Sequence, residues 1–380
     1  MAQKVILINS LKLGGAERVI INLINEINDP DIDVLLLENL VEFDINFKIK
    51  YLNKYEKKHI FKLIDLFFLG FRLNRYCVKN NIYLVQSHLP RANYVNIISG
   101  IFRPKRNIQI VSHGIPSLYK KRGVLGKVNI FLMKNLYNRA DTHVVVSNGL
   151  KDDFNKVYNS INNFKTIYNP FPIKNILNDS LLEINDFKFS ENIFYFIFCG
   201  RLNPVKKIDQ MIGWFLELYN NHPDVTLIIL GDGKEKNKLK TLIQKSQNIH
   251  LLGNRVNPFP FLANSSCLLI NSDFEGFGNV LVESLICSTP VISADCDYGP
   301  REILCLNNKE FNEKGIKYND YSILYKQNNK QAFFNSLDFM MTNYRNFKKG
   351  STTWKHKESH KFNSENIVLQ YKKILDYTKI

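Results

Sequence analysis

The chain has 380 residues, 45% of them hydrophobic, which is enough for two globular domains with ordinary cores. Its first residues are apolar too briefly for a signal peptide, and no stretch approaches the ~20 apolar residues of a membrane span. The six cysteines form no Cys-x-x-Cys pair, which argues against a disulfide framework or a zinc site and favours reduced thiols in a cytoplasm.

Short apolar strands alternate with helical stretches in the first part of the chain. The predicted strands are residues 4–9, 33–38, 82–87, 108–112 and 142–147. Such alternation predicts a parallel sheet with helices on both faces, and the sites of these sheets lie at the carboxyl ends of the strands. Gly14 and Gly15 follow the first strand as the phosphate-facing turn of a Rossmann unit. They do not form Gly-x-Gly-x-x-Gly, which argues against a dinucleotide bound by this domain alone.

The net charge of +16 is concentrated between residues 48 and 139. This region holds 19 Lys and Arg against two acids, whereas the rest of the chain sums to −1. Residues 57–75 mix aromatic and aliphatic side chains with cations. This composition suits an interfacial helix on an anionic membrane, where each basic residue contributes about 1 kcal/mol. The cations predicted to face the membrane are Lys57, Lys58, Lys62, Arg72 and Arg75.

Two other interpretations of this basic region stay open. A core helix with a solvated basic face fits the same pattern, since periodicity alone does not separate the two. Nucleic acid binding is the third, but no helix-turn-helix, RNP or zinc-finger pattern accompanies the charge, so we expect no nucleic acid partner. Further along the chain, His113 ends a predicted strand and is expected either to line the site or to be structural.

The alternation breaks near residues 169–172 and starts again at residue 193. The second set of predicted strands is 193–199, 225–230, 249–252, 267–271 and 290–294. We therefore expect a first domain over residues 1–172 and a second over 173–349. Residues 350–380 should form a helical segment that packs toward the first domain.

Loops after the strands of the second domain carry candidate anion-binding residues. Arg201 and Lys206 lie on a loop that enters a helix, and a guanidinium with an ammonium suits a diphosphate. The glycine turns at 231–233 and 253 are more often ordinary tight turns. Residues 273–283 read as a glycine-rich turn entering a helix, with Glu275 in the turn and Glu283 inside the helix. The amides of residues 277–279 would start that helix, where the dipole favours an anion.

Several motifs together resemble those of the retaining GT-B glycosyltransferases of family 4. They are Gly-Gly-Ala-Glu-Arg at 14–18, residues 140–148, Ile-Tyr-Asn-Pro at 167–170, Gly-Arg-Leu at 200–202 with Lys206, residues 275–283, and Gly-Pro-Arg-Glu at 299–302. The resemblance implies an α/β GT-B fold, with two Rossmann-like domains facing each other across a cleft. It also implies a nucleotide-sugar donor held by the second domain and an acceptor held by the first.

The resemblance assigns roles to individual residues of this chain. Arg201 and Lys206 would hold the diphosphate, Glu283 the ribose hydroxyls, and Glu275 the donor sugar. Other donor contacts would come from Gly15, Arg255, Val256 and the amides of Phe277, Gly278 and Asn279. The catalytic set would be Glu275, His113, Arg201 and Lys206, with His113 contacting the donor sugar or the acceptor.

The chemistry implied is a front-face substitution, in which the departing phosphate helps to deprotonate the acceptor. Fixed cations and amides would stabilise the leaving group, so we expect no metal and no cofactor. The motifs Asp31-Ile-Asp33 and Asp295-Cys-Asp297 look like the Asp-x-Asp of the other glycosyltransferase fold, which no other pattern supports. Lys207 is a departure, because the family usually has glycine there.

We therefore expect a hexosyltransferase that uses UDP-N-acetylhexosamine or UDP-galactose. Its acceptor would be a polyprenyl-diphosphate-linked or other glycan of O-antigen, lipopolysaccharide or capsule synthesis. The enzyme would be cytoplasmic and peripheral on the inner face of the plasma membrane. A nucleotide-sugar epimerase of the same architecture and a basic nucleic-acid-binding protein remain as alternatives.

Overall fold

The computed structural model describes residues 3–12, 14–52, 62–101, 106–121, 123–158, 163–219, 222–306 and 309–376, without the side chains of Lys62, Leu63 and Lys121. The chain divides into two compact units. The first comprises residues 1–170 and 364–380, and the second comprises residues 171–363. The boundaries predicted from the sequence were 172/173 and 349/350.

The first unit is built on a parallel sheet of seven strands in the order β3-β2-β1-β4-β5-β6-β7. Its strands are β1 (Lys4–Ile8), β2 (Ile32–Leu36), β3 (Ile49–Tyr51), β4 (Leu84–His88), β5 (Asn107–Ser112), β6 (Thr142–Val145) and β7 (Phe164–Thr166). All residues of β1 are buried, because a parallel sheet is covered on both faces. The five strands predicted from the sequence are confirmed, and the short strands β3 and β7 were missed.

Helices connect these strands. They are α1 (Gly15–Ile27), α2 (Lys62–Lys79), α3 (Pro90–Ile101), α4 (Gly123–Leu136) and α5 (Asn148–Tyr158), with short 3-10 turns at Pro116–Lys121 and Tyr137–Arg139. In α1, apolar residues recur three and four positions apart and are buried, as the core-facing side of an amphipathic helix requires.

The second unit holds another seven-stranded sheet, in the order β10-β9-β8-β11-β13-β16-β15. Its strands are β8 (Phe194–Cys199), β9 (Val225–Leu230), β10 (Ile249–Gly253), β11 (Cys267–Ile270), β13 (Val291–Ala294), β15 (Ile316–Tyr318) and β16 (Ser322–Tyr325). Only β15 runs antiparallel. The strands β12 (Phe274–Glu275) and β14 (Asp297–Tyr298) form a separate parallel pair.

The helices of the second unit complete the α/β arrangement. They are α6 (Ile173–Asp179), α7 (Ile208–Tyr219), α8 (Lys236–Leu242), α9 (Phe259–Asn264), α10 (Asn279–Ile286), α11 (Gly299–Ile303), α12 (Lys330–Thr342) and α13 (Tyr344–Lys357), with 3-10 turns at Pro204–Lys206 and Ser359–Phe362. The predicted α/β class, with two Rossmann-like sheets, is confirmed.

The C-terminal residues are shared between the two units. Helix α13 stays in the second unit, where Trp354 stacks on Phe362 with ring centroids 6.0 Å apart. Helix α14 (Ser364–Leu375) belongs to the first unit and packs on α1, where Ser364 Oγ donates to Glu26 Oε1 over 3.0 Å. The chain thus returns to the first unit after Asn363, because the aromatic residues before that point pack into the second core.

Cysteine burial agrees with reduced thiols. All six cysteines are free; four are buried, Cys199 is half-buried and Cys305 is exposed. Among the helices described here, none has the length and apolar content needed to cross a membrane.

Candidate active site

The site residues of the second unit lie at the point where its strand order reverses. Strands β9 and β10 lie on one side of β8, and β11 and β13 lie on the other. At such a switch point the loops after two neighbouring parallel strands diverge and leave a crevice at their carboxyl ends. The loop after β8 carries Lys206, and the loop after β11 carries Glu275.

These two side chains form an ion pair between the Lys206 ammonium and Glu275 Oε1. The exposed fractions of the two side chains are 21% and 12%. Each charge is thus partly desolvated and depends on the other. Ser272 Oγ donates to the same Glu275 oxygen over 2.7 Å. The crevice therefore holds a lysine ammonium and a carboxylate side by side.

The loop that carries Glu275 is fixed by buried polar contacts that the sequence did not reveal. Asn271 donates to the Lys207 carbonyl over 3.0 Å and accepts from the Tyr325 hydroxyl over 2.6 Å. Gln327 Nε2 donates to the Asp273 carbonyl over 2.9 Å. Asn271 at the end of an apolar strand was the one available signal, because a buried amide there needs partners.

The helix start next to Glu275 has the predicted backbone geometry. Gly278 precedes α10 with φ 93° and ψ 61°, a left-handed conformation that favours glycine. The side chain of Phe277 is buried and packs against Phe171 and Phe362, with ring centroids 6.2 and 6.0 Å apart. The side chain of Phe277 therefore serves packing. The predicted donor contact of this residue would come from its backbone amide. Glu283 lies on α10 and is buried.

Glycines around the crevice permit close packing between loops. A Cβ on Gly231 would lie 1.9 Å from the Gly200 carbonyl oxygen, and one on Gly233 would lie 2.2 Å from that of Leu202. The turn after β9 is thus pressed against the loop that carries Arg201. Gly299 has the same role, because its Cβ would lie 2.1 Å from the Phe277 carbonyl oxygen. These glycines shape the site through backbone contacts.

The remaining donor-site predictions fall on the same sheet edge. Arg201 is exposed on the loop after β8. Arg255 follows β10, pairs with Asp186, and lies over the ring of Phe261 with its guanidinium carbon 5.4 Å from the centroid. Val256 is exposed. The structure therefore joins Lys206 and Glu275 directly, and places Arg201, Arg255 and Val256 on loops of the same edge.

Lys207 occupies a backbone position that explains why the family usually has glycine there. Its φ of 46° and ψ of 43° are left-handed, which strains any side chain. Its ammonium pairs with Asp273 over 2.6 Å. We expect the free energy of unfolding of Lys207→Gly to be about 1 kcal/mol higher than that of Lys207→Ala. Both variants lose the ion pair with Asp273, but only glycine adopts the left-handed backbone conformation without strain. Chemical denaturation of the two variants measures this difference, and an equal or reversed order would contradict it.

The predicted residues of the first unit also lie at strand ends. Gly14 is extended and precedes α1, whose first residue is Gly15. His113 follows β5 and is half-buried; its Nε2 lies 3.2 Å from Nδ1 of His88, the last residue of β4. The two rings stack with centroids 5.5 Å apart. His88 was not predicted, although a polar residue in a strand buried on both faces is a signal.

Burial favours the neutral form of His88, His113 and His143. It lowers the pKa of His113 to about 4 and that of His143 to about 3. It also lowers the pKa of His88 well below its usual value, and the neighbouring His113 adds to this. His143 Nε2 lies 2.9 Å from Ser112 Oγ, while its buried Nδ1 has no hydrogen-bond partner among the described residues.

The first unit should lose stability on mild acidification. Unfolded histidines take up a proton near pH 6.5, whereas His143 in the folded unit stays neutral to about pH 3. The unfolded state then binds more protons in this window, so stability falls as pH drops below 6.5. For His143 alone we expect the free energy of unfolding to fall by about 2–3 kcal/mol between pH 7 and 4.5. Amide exchange in β6 measures this, and His143→Phe should flatten the dependence; an unchanged slope would contradict the assignment.

Aspartates of both Asp-x-Asp sequences form ion pairs with lysine or arginine side chains of the protein. Asp295 is buried and pairs with Arg301 over 2.8 Å and with Lys317 over 3.1 Å. Asp33 pairs with Lys50 over 2.8 Å. These carboxylates are neutralised within each unit and serve its packing. Within the described ranges, no group of three or more His, Cys, Asp or Glu side chains is arranged to hold a metal ion.

Helix α2 has two apolar faces. Leu66, Leu69 and Leu73 are buried on one side. The opposite side exposes Ile64, Phe67, Phe68 and Phe71, by 54, 61, 66 and 55%. Arg72 and Arg75 are also exposed. Of the other predicted membrane contacts, Lys57, Lys58 and the side chain of Lys62 lie outside the described residues.

The second unit thus holds a lysine and a glutamate at the switch point of a Rossmann-like sheet, where open α/β sheets bind their ligands. Two family models match the chain: "Glycosyltransferase Family 4" over residues 13–174 and "Glycosyl transferases group 1" over residues 182–354. The chain belongs to the family 4 glycosyltransferases with the GT-B fold, as the sequence resemblance predicted.

Similar proteins include two curated relatives. An uncharacterized glycosyltransferase of Methanocaldococcus jannaschii is 35% identical over 58% of this chain and 58% of its own. The N-acetylgalactosamine-N,N'-diacetylbacillosaminyl-diphospho-undecaprenol 4-alpha-N-acetylgalactosaminyltransferase of Campylobacter jejuni is 28% identical over 88% of this chain and 89% of its own. The solved structure of Anabaena HepE with UDP and glucose has a TM-score of 0.76 over 99% of both chains at 21% identity, which shows a shared fold.

Proposed function

We propose that this enzyme transfers a hexose or N-acetylhexosamine from a UDP-linked donor to a lipid-linked glycan, with retention of configuration. The observation that carries the proposal is the Lys206–Glu275 pair at the switch point beside the start of α10. A nucleoside diphosphate leaving group needs fixed positive charge, and Lys206 is already positioned there. Glu275 accepts sugar hydroxyls, and Glu283 on α10 accepts from the ribose.

The similar proteins favour this donor and acceptor. The Campylobacter relative is named for N-acetylgalactosamine transfer to a diphospho-undecaprenol-linked glycan, and the Anabaena structure contains UDP and glucose. We propose UDP-N-acetylhexosamine as the first donor to test and UDP-galactose as the second. A polyprenyl-diphosphate-linked acceptor would serve surface-polysaccharide assembly, such as O-antigen or capsule.

The reaction we propose needs no side-chain nucleophile and no metal. The departing phosphate takes the acceptor proton while the new bond forms on the face that the diphosphate leaves. Lys206 and Arg201 stabilise the charge that develops on the phosphate. The pairing of Asp295 with Arg301 and Lys317 supports this, because it leaves that Asp-x-Asp sequence engaged by protein cations.

A panel of nucleotide sugars tests the proposal. We expect a UDP-N-acetylhexosamine or UDP-galactose to protect the protein against thermal unfolding, with turnover onto a polyprenyl-diphosphate glycan that persists in a chelator. NMR of the product should show the anomeric configuration of the donor. Inverted product would refute retention, and loss of turnover in the chelator would refute metal independence. An epimerised free nucleotide sugar formed without acceptor would favour the epimerase alternative.

We further propose that α2 docks the enzyme on an anionic membrane. An exposed row of aromatic side chains flanked by Arg72 and Arg75 matches the apolar and anionic layers of a lipid surface. Helix α4 of the same unit also exposes apolar residues, namely Val124, Leu125 and Phe131. The exposed face of α2 would bring the first unit to a lipid-linked acceptor, on the inner side of the plasma membrane.

Vesicle flotation separates docking from general stickiness. The variant with Phe67, Phe68 and Phe71 changed to serine should lose most binding to vesicles that contain phosphatidylglycerol. Changing the exposed Leu181 and Leu182 of the second unit to serine is the matched control and should leave binding unchanged. Equal flotation of both variants, or equal binding to neutral vesicles, would refute the α2 surface.

A further inference from the structure

A row of buried polar side chains leads from helix α14 to His113 inside the first unit. Gln86 and Gln109 are register partners on β4 and β5, and both are fully buried. Gln109 Nε2 donates to the Ile374 carbonyl over 2.6 Å, and Gln86 Nε2 donates to Gln109 Oε1 over 2.9 Å. Gln86 Oε1 lies 3.2 Å from His88 Nε2, and His88 Nδ1 lies 3.2 Å from His113 Nε2.

The direction of each hydrogen bond follows from the first one. A main-chain carbonyl only accepts, so the amide group that faces Ile374 must be the NH2 of Gln109. The other end of that amide is an oxygen, which must accept from the NH2 of Gln86. Gln86 therefore presents its oxygen to His88, and His88 must carry its proton on Nε2.

The protonation of His88 in turn fixes that of His113. A neutral His88 protonated on Nε2 has its lone pair on Nδ1, which faces His113 Nε2. His113 must then carry its own proton on Nε2. The opposite arrangement would set two lone pairs against each other or break the bond to Gln86. We propose that this relay fixes His113 as the Nε2-protonated tautomer, so that Nδ1 presents a lone pair to a hydroxyl of the substrate.

Two observations support a role at the substrate. Burial lowers the pKa of His113 to about 4, so a single ring nitrogen is protonated near neutral pH. Among the described residues, a Cβ built on Gly114 would meet no heavy atom of non-neighbouring residues within 4 Å, so the chain after His113 borders open space. The substrate hydroxyl belongs to the proposed sugar transfer, and this part of the inference rests on that function. Gln86, Gln109 and His88 are positioning residues that act through His113.

The tautomer is measurable on the full chain without any substrate. In protein labelled with 15N-histidine, the unprotonated ring nitrogen resonates far downfield of the protonated one. We expect the downfield nitrogen of both His88 and His113 to be Nδ1. The set of signals that disappears in His113→Gln belongs to His113. A downfield Nε2 in His113, or an average of the two tautomers, would overturn the relay whether or not the enzyme transfers sugar.

Substitutions distinguish a positioning role from a structural one. Gln86→Met removes the acceptor of His88 Nε2, so both tautomers of His113 become populated. We expect kcat/KM to fall about two- to tenfold, the equivalent of one neutral hydrogen bond. Asn96→Leu removes an equally buried amide from the same core and should lower stability without changing the His113 spectrum.

Each combination of results decides the matter. A changed tautomer with reduced turnover in Gln86→Met alone supports the relay and its role at the substrate. A changed tautomer with unchanged turnover refutes that role, and equal spectra in Gln86→Met and the wild type refute the relay. If the wild type shows no sugar transfer at all, the proposed function fails, while the spectrum still tests the relay.

Discussion

Replacing Gly299 with alanine is expected to remove most of the activity and to destabilise the second unit. The new Cβ would lie 2.1 Å from the Phe277 carbonyl oxygen and 3.0 Å from that of Glu275, both of them backbone atoms. The segment that holds Glu275 and the start of α10 would have to move by about 1 Å, which can cost about 100-fold in rate. Overpacking of this kind also costs about 1–3 kcal/mol of stability. Turnover and thermal unfolding measure the two effects.

Gly213→Ala is the matched control for this prediction. Gly213 is exposed inside α7 of the same unit, and among the described residues its added Cβ would meet no atom within 4 Å. Alanine in an exposed helix position should stabilise by about 0.5–1 kcal/mol and leave turnover unchanged. If Gly299→Ala behaves like Gly213→Ala, the loop does not depend on this close approach, and its assignment as part of the donor site is wrong.

Local sequence pattern was sufficient to predict the main strands and the identity of the loops at their carboxyl ends. Buried parallel strands are continuous apolar runs, so Ile6 or Ile197 needed no tertiary information. The two-residue strands β12 and β14 were missed because their signal is too short. The position of Gly299 against Phe277 could not be predicted either, since it depends on two segments, distant in sequence, that pair as β12 and β14.

Side-chain partners were the least predictable part of the site. The sequence placed Lys206 with a diphosphate and Glu275 with a sugar, but it gave no reason to pair them with each other. Their contact follows from the neighbouring positions of β8 and β11, which are distant in sequence. The burial of the Phe277 side chain was not predicted either, because it depends on packing against Phe171 and Phe362, which are distant in sequence.

Lys206→Met is expected to reduce kcat/KM by about 100- to 1,000-fold, the effect of removing one preorganised group that stabilises transition-state charge. This variant should also have a lower free energy of unfolding, because the partly desolvated carboxylate of Glu275 loses its cation. Lys207→Met is the matched control, since it removes an equal charge from the adjacent position that pairs with Asp273. We expect its kcat/KM to stay within a factor of about five, since a partly exposed pair contributes little.

The double variant Lys206→Met/Glu275→Gln separates the role of the ion pair in stability from its role in turnover. Removing both charges eliminates the unpaired carboxylate, so the free energy of unfolding should recover most of what Lys206→Met lost. Turnover should not recover, because the proposed reaction needs Lys206 at the leaving group and Glu275 at the donor sugar. A double variant that regains both stability and turnover would mean that Lys206 and Glu275 only hold two loops together. Regained stability without turnover would identify the resting ion pair as the preorganised form of the donor site, held ready until a diphosphate takes over the lysine.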